Sequence, residues 1–369
     1  MSQKTAIKRF LYKSLIFIPI PFLMILVNFF IDPGNLFGDN NYVQQLSYHL
    51  ASGKNILAPD LNYDERLKQI YVIEQMNKPK DILVFGSSRC KGIHKDLFPG
   101  KTFYNAGVSA GSIEDFIGLY QLFFEKKILP NTLILELSAW ILNPKNELIH
   151  GDVPTIIPAY KRGISRLNIP VKENTAFGNY DRGDNMPEKF KQLISPYYFQ
   201  QSIKKFYKYK RIQKKQAIYD FTFTNEKLVD NELILFTDGS WVSAEERRIV
   251  SKTEAIKHST TPKGLKGFSK FDTGRIKEVE AFINRMLKDG VEVVFYLPPW
   301  PKMTYQRLAD SDKYHIVVQE EEYFRNLAQK YGINVIGSYN AGNLGYVLND
   351  FADSAHLRRS AVSKMFKEF

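Results

Sequence analysis

Five short apolar runs without polar alternation constrain this chain more than any other feature: 82–85 (ILVF), 103–105 (FYN), 132–137 (TLILEL), 291–297 (VEVVFYL) and 333–336 (INVI). A strand with one wet face alternates, whereas a run that does not is buried on both faces. Between the runs lie helical stretches at 113–127, 273–288 and 319–331. Strands separated by helices make βαβ units, so the expected fold class is α/β. The domain is expected to be a flavodoxin-like three-layer α/β/α sandwich around a five-stranded parallel sheet of order 2-1-3-4-5.

The remaining segments set the organisation. An uncharged run (LIFIPIPFLMILVNFFI) occupies 15–31, and with Leu11, Tyr12 and Ser14 it reaches the roughly 20 residues that cross about 30 Å of hydrocarbon. Lys4, Lys8, Arg9 and Lys13 precede it and Asp32 and Asp39 follow, which predicts a cytoplasmic tail at 1–10, a transmembrane anchor at 11–31 and everything beyond outside the membrane. No small-x-small cleavage site follows the run, so an anchor is expected rather than a cleaved signal. Residues 32–79 form a connecting region with one helix near 63–76, and 80–369 form the α/β domain, interrupted by an insertion at about 141–272 where the strand rhythm stops.

Charge and cysteine content narrow the function. The net charge of +12 favours an anionic partner such as lipid head groups or a wall polymer, and the expected topology disfavours nucleic acid. Within the insertion, 204–215 (KKFYKYKRIQKK) interleaves basic and aromatic residues, as a solvated helix face or a surface meeting anionic lipid or polymer would. The single cysteine, Cys90, leaves no internal disulfide or CxxC motif and is expected to be a small buried thiol. No HExxH pair, GxxxxGKS or GxGxxG occurs, so neither a metal nor a cofactor is expected.

Three turns carry chemistry. The first strand ends in Gly86, Ser87, Ser88, Arg89, which delivers a serine where a strand is expected to pass into a helix whose amino terminus favours developing negative charge. The second ends in Asn105, Ala106, Gly107, Val108, Ser109, a loop in which Gly107 could present its amide to an oxyanion and Asn105 could brace the backbone. Near the carboxyl terminus, Asp353 precedes His356 by three residues, a spacing that lets the carboxylate reach Nδ1 and leaves Nε2 free to take a proton from serine. In the expected sheet all three turns meet at one edge. Trp140 and the 298–300 segment (PPW) follow the third and fourth strands there and could wall or rim a cleft.

In this order, GSSR, NAGVSAG and DSAH resemble blocks I, II and V of the SGNH (GDSL-like) hydrolase superfamily, over roughly 80–369. The resemblance implies Ser88 as nucleophile, the Ser88 and Gly107 amides as oxyanion donors, His356 as base and Asp353 as its orienter. Block I has Ser87 where the family carries Asp, and block III, normally GxND, is Ser138, Ala139, Trp140, Ile141, so its side-chain donor is missing or replaced. An amino-terminal anchor joined to a divergent domain of this kind is similar to the DltD protein of teichoic-acid D-alanylation and to the alginate O-acetylation proteins. That architecture implies O-acylation of a cell-surface polysaccharide or teichoic-acid-like polymer through a Ser88 ester, with a multi-span membrane O-acyltransferase as partner. Two alternatives remain open at this stage: a carbohydrate esterase or deacetylase, and a polymer-binding scaffold without chemistry.

Overall fold

The five apolar runs pair into one parallel sheet in the expected order. The computed structural model describes residues 19–367 save 32–40, 58, 60–62, 145–154, 170–189, 191, 197, 201, 204–205, 207–220, 261 and 263. Its helices are α1 (Pro19–Ile31), α2 (Asn41–Ala51), α3 (Glu65–Gln75), α4 (Ile113–Glu125), α5 (Ile157–Arg166), α6 (Lys252–Thr260), α7 (Thr273–Lys288), α8 (Lys302–Ala309), α9 (Ile316–Tyr331) and α10 (Arg359–Met365). The strands are β1 (Ile56–Leu57), β2 (Ile82–Phe85), β3 (Phe103–Asn105), β4 (Thr132–Glu136), β5 (Thr222–Phe223), β6 (Ile234–Leu235), β7 (Trp241–Val242), β8 (Glu292–Leu297) and β9 (Asn334–Gly337). The main sheet runs β3-β2-β4-β8-β9. All its ladders are parallel, with Ile82 opposite both Phe103 and Thr132, and Val294 opposite Ile134 and Asn334.

Because successive side chains of a strand point to opposite faces, each apolar run feeds two cores. Leu83, Phe85, Leu133, Leu135, Val293 and Phe295 pack with Phe116 of α4, Phe282 of α7 and Phe324 of α9. Val84, Ile134, Val294 and Tyr296 pack on the other side with Cys90, Ile93, Val362 and Phe366. That second face is thinly covered, by the short α10 and by two 3-10 turns, Ser88–Cys90 and Lys95–Leu97, in the β2–β3 connection. The helix expected after Ser88 is therefore a single 3-10 turn. Gly92, Pro99 and Gly100 interrupt the connection before a longer helix can propagate.

The 141–272 segment contributes more regular structure than its sequence suggested. Ile156, Tyr160, Leu265 and Phe268 join the larger core. Helix α5 approaches α4 closely at Gly118 and Gly163, where an added Cβ would lie 2.6 Å from Ile156 Cγ1 and 2.7 Å from Ile117 Cγ2 respectively. Strands β5, β6 and β7 form a small antiparallel sheet of order β5-β1-β6-β7, whose β1 comes from the expected connecting region. Each of these strands has two residues, too few to show an alternation in sequence.

The β6–β7 turn meets the main sheet beside the loop after β3. Asn105 N donates to Asp238 O at 2.7 Å, and Trp241 N to Lys91 O at 2.9 Å. Gly239 makes this approach possible: its φ is +79°, and a Cβ there would lie 2.0 Å from Asn105 O. Gly239→Ala combines a left-handed backbone with a backbone clash, so it should lower the unfolding free energy by more than about 2 kcal/mol. Thermal or urea unfolding followed by circular dichroism checks this.

The chain divides into two compact units, one of residues 1–44, 60–64 and 182–220, the other of 45–59, 65–181 and 221–369. In the first, the buried Asn28 of α1 donates to Leu193 O at 2.9 Å and accepts from Ser202 Oγ at 3.0 Å, so its amide is satisfied inside an otherwise apolar helix. Among the described residues no helix is long and apolar enough to cross a membrane. The 13 residues of α1 span about 20 Å, and positions 11–18 of the expected anchor lie outside the described residues. The basic run at 204–215 also lies outside them, Phe206 apart.

Candidate active site

Strand β2 ends against a tight turn that only glycine can open. A Cβ on Gly86 would lie 2.5 Å from Glu136 Oε2 and 2.7 Å from Cys90 Sγ. Ser87 then caps the 3-10 turn. Its Oγ accepts from Arg89 N at 3.2 Å and donates to Glu136 Oε1 at 2.6 Å, while its amide donates to Glu136 Oε2 at 2.9 Å. With its predecessor held on three sides, Ser88 is presented half-buried at the carboxyl end of the sheet.

Ser88 Oγ lies 2.8 Å from His356 Nε2, and His356 Nδ1 lies 2.7 Å from Asp353 Oδ2. The other carboxylate oxygen, Oδ1, accepts the amides of Ala355 at 2.7 Å and His356 at 2.8 Å, so the DSAH turn is closed by its own aspartate. Burial alone would raise the Asp353 carboxyl. The hydrogen bond and charge of His356, with the two amides, outweigh it and hold the group at about 2. A carboxylate facing Nδ1 makes that nitrogen the donor and leaves Nε2 as acceptor for the Ser88 proton. The His356 and Asp353 side chains are 31% and 28% exposed, so a substrate can reach them from solvent.

The other residues singled out in sequence gather at the same edge, with altered roles. Asn105 braces the turn as expected: Nδ2 donates to Cys90 O at 2.8 Å and to Ile93 O at 3.0 Å. Gly107 does not offer its amide to a substrate, because that N–H donates to Asn105 Oδ1 at 2.9 Å. The cause is the close approach of the loop to its brace, for a Cβ on Gly107 would lie 2.6 Å from Cys90 Sγ and 3.0 Å from Asn105 Oδ1. The Ser88 amide, in contrast, donates to no group among the described residues. Trp140 is buried in the larger core instead of walling an open cleft, and Trp300 is buried instead of forming a rim. Cys90 is fully buried, its thiol on Ser87 O at 3.1 Å.

Three structural supports were not anticipated. Arg89 is buried, with Nε on Ala355 O at 3.2 Å and Nη2 on Pro298 O and Pro299 O at 2.9 and 2.6 Å, so it ties the serine turn to the histidine turn and to the end of β8. Glu136, the last residue of β4, takes both polar groups of Ser87 and the Ser138 hydroxyl. Helix α3 grips the loop after β3 and the first turn of α4 at three points. Glu65 accepts from Ser109 N and Oγ, Arg66 forms a two-pronged ion pair with Asp115 at 3.0 and 2.9 Å, and Gln69 donates to Gly107 O at 3.1 Å.

Charge compensation makes the first of these grips strong. Burial would raise Glu65, but the charges of Lys91 and Lys68, with hydrogen bonds from Lys91 and Ser109, hold it at about 2. Lys91 Nζ reaches both Glu65 oxygens at 2.7 Å. Lys68, buried beside them, is pushed down to about 8 by desolvation, against the pull of Glu65.

Comparison with known proteins adds no family assignment: a scan against protein-family models finds no match to this chain, and a search of curated proteins finds no relative.

Proposed function

We propose that the chain is an SGNH-type serine acyl-transfer protein acting outside the cytoplasmic membrane, which moves a small acyl group through a Ser88 ester onto a hydroxyl of a cell-surface polysaccharide or teichoic-acid-like polymer. The observation that carries this reading is the continuous line from Ser88 Oγ through His356 to Asp353, at 2.8 and 2.7 Å. Such a line turns a weak hydroxyl into a nucleophile, because the base sits within proton-transfer distance and a third group orients it.

In the first half-reaction Ser88 Oγ attacks the acyl carbonyl carbon while its proton passes to His356 Nε2. The carbon–leaving-group bond then breaks, and the leaving group takes that proton. In the second, the polymer hydroxyl attacks the Ser88 ester, gives its proton to His356 Nε2 and departs acylated, and the proton returns to Ser88. Asp353 stays ionised throughout and stabilises the imidazolium between transfers. A multi-span O-acyltransferase is the proposed supplier of acyl groups, and the amino-terminal apolar segment the proposed link to the membrane. Water in place of the polymer hydroxyl would give the deacetylase reaction, which the exposure of His356 also supports.

The direct test incubates the full-length protein in detergent with a fluorophosphonate and measures intact mass. A single adduct mapped to Ser88 is the expected result, and a folded protein that gains none overturns the reading. Supplying p-nitrophenyl acetate with a polysaccharide acceptor then separates transfer, seen as polymer-bound acetyl, from hydrolysis, seen as free acetate.

A further inference from the structure

Beside Ser88 two buried nitrogen donors have no acceptor. Arg89 is 5% exposed and Trp140 is 7% exposed. Arg89 Nη1 and Trp140 Nε1 lie inside with no hydrogen-bond partner among the described residues. The guanidinium carbon sits 5.9 Å from the Trp140 ring centroid and 4.8 Å from that of Trp300. Its other nitrogens donate only to backbone carbonyls, so the charges of Glu136 and Asp353 act on it through space and, among the described residues, no carboxylate takes a hydrogen bond from it. A buried N–H without an acceptor is costly to keep, more so on a charged group. Two persist here at one place, and a group that supplies an anionic acceptor explains both.

That place belongs to the Ser88 turn. Arg89 follows Ser88 directly, and Trp140 lies just beyond β4, the strand paired with β2. The donor expected from the loop after β3 is occupied, since the Gly107 amide is on Asn105 Oδ1. Besides the Ser88 amide, the turn therefore has these two side-chain donors left for an oxygen that gains charge.

We infer that Arg89 Nη1 and Trp140 Nε1 form an oxyanion pocket beside Ser88, which takes the acyl oxygen as Ser88 attacks its carbonyl carbon. The inference rests on the serine acyl-transfer reading above. The pocket chemistry is that of a single anionic oxygen, which could come from a Ser88 adduct or from a free carboxylate or phosphate.

The experiment uses the full-length protein in detergent, labelled with 15N at tryptophan indoles. The three tryptophans, Trp140, Trp241 and Trp300, give three indole signals, of which Trp140→Phe assigns one. Once intact mass confirms the fluorophosphonate adduct, the Trp140 indole proton should move downfield, because its N–H gains the phosphonyl oxygen as acceptor. Trp140→Phe, which keeps an aromatic ring but loses the donor together with the five-membered ring, should slow labelling on the order of 10²-fold, measured well below its melting temperature because the lost atoms leave a void in the core.

A confirmed adduct with an unmoved Trp140 signal, or Trp140→Phe labelling at the wild-type rate, overturns the pocket and leaves the serine reading intact. If no adduct forms on the wild type, the serine reading fails instead, and titration of Ser88→Ala protein with acetate and inorganic phosphate decides the pocket. A saturating Trp140 shift there supports a site for free oxyanions, and no shift overturns it.

Discussion

Ser88→Ala should abolish fluorophosphonate labelling, His356→Ala should slow it by about 10⁶-fold, and Asp353→Asn by about 10⁴-fold. The ranking follows from what each group does. In the proposed reaction Ser88 forms the bond, so without it there is no adduct, and His356, 2.8 Å away, takes the proton, so its loss leaves only what the surrounding donors achieve. Asp353 acts through His356. It holds Nδ1–H at 2.7 Å, and asparagine in its place can turn an amide N–H toward that nitrogen. The imidazole then carries its proton on Nε2 and cannot accept from Ser88.

The same residue sets an acid limit. Asp353 is held at about 2 in the folded protein, below the roughly 3.9 of a free aspartate, so the carboxylate stabilises the fold. Because the folded value is the depressed one, this contribution is complete above about pH 4 and is lost as pH falls toward 2. Asp353→Asn should therefore be less stable at neutral pH and show a shallower loss between pH 4 and 2, as measured by acid unfolding beside labelling rates at pH 7. Wild-type labelling in Asp353→Asn would falsify the orienting role.

How much of this was legible in the sequence depended on the range of the interactions. Strands β2, β3, β4, β8 and β9 stood out because burial on both faces leaves an unbroken apolar run, a local signal. Ser88, Asp353 and His356 stood out because each lies in a short turn with a distinctive neighbour, and the strand order carried them to one edge. The supports gave weaker signals. Glu65, Arg66 and Gln69 sit on an unremarkable helix, and the groups they hold lie 38 to 49 residues away. The β6–β7 hairpin is built from two-residue strands, below the length at which a period can be read. Gly107 and Trp140 were placed at the right edge, but which N–H is taken and which is left over depends on side-chain contacts that spacing does not encode.

Glu136 did carry a signal. A glutamate inside TLILEL is a charge in a run expected to be buried on both faces, and such a charge must have partners. It is 1% exposed, and its partners are the Ser87 amide and the hydroxyls of Ser87 and Ser138. Glu136→Ala should therefore destabilise the fold by about 3–5 kcal/mol, since it leaves three buried donors without an acceptor and a void behind them. In a domain of this size that lowers the melting temperature on the order of 10 °C. Glu136→Gln should fall between the two. Its carbonyl can take the Ser87 amide, which cannot rotate, while its NH₂ can donate to Ser87 Oγ, which can. Labelling should follow the same order, because Ser87 caps the turn that aims Ser88. Thermal unfolding and fluorophosphonate labelling of the two variants test both halves. An unchanged melting temperature in Glu136→Ala would show that the serine turn holds its shape without this carboxylate. A lower melting temperature with wild-type labelling at 20 °C would confine Glu136 to stability and leave the aim of Ser88 to Gly86 and Arg89.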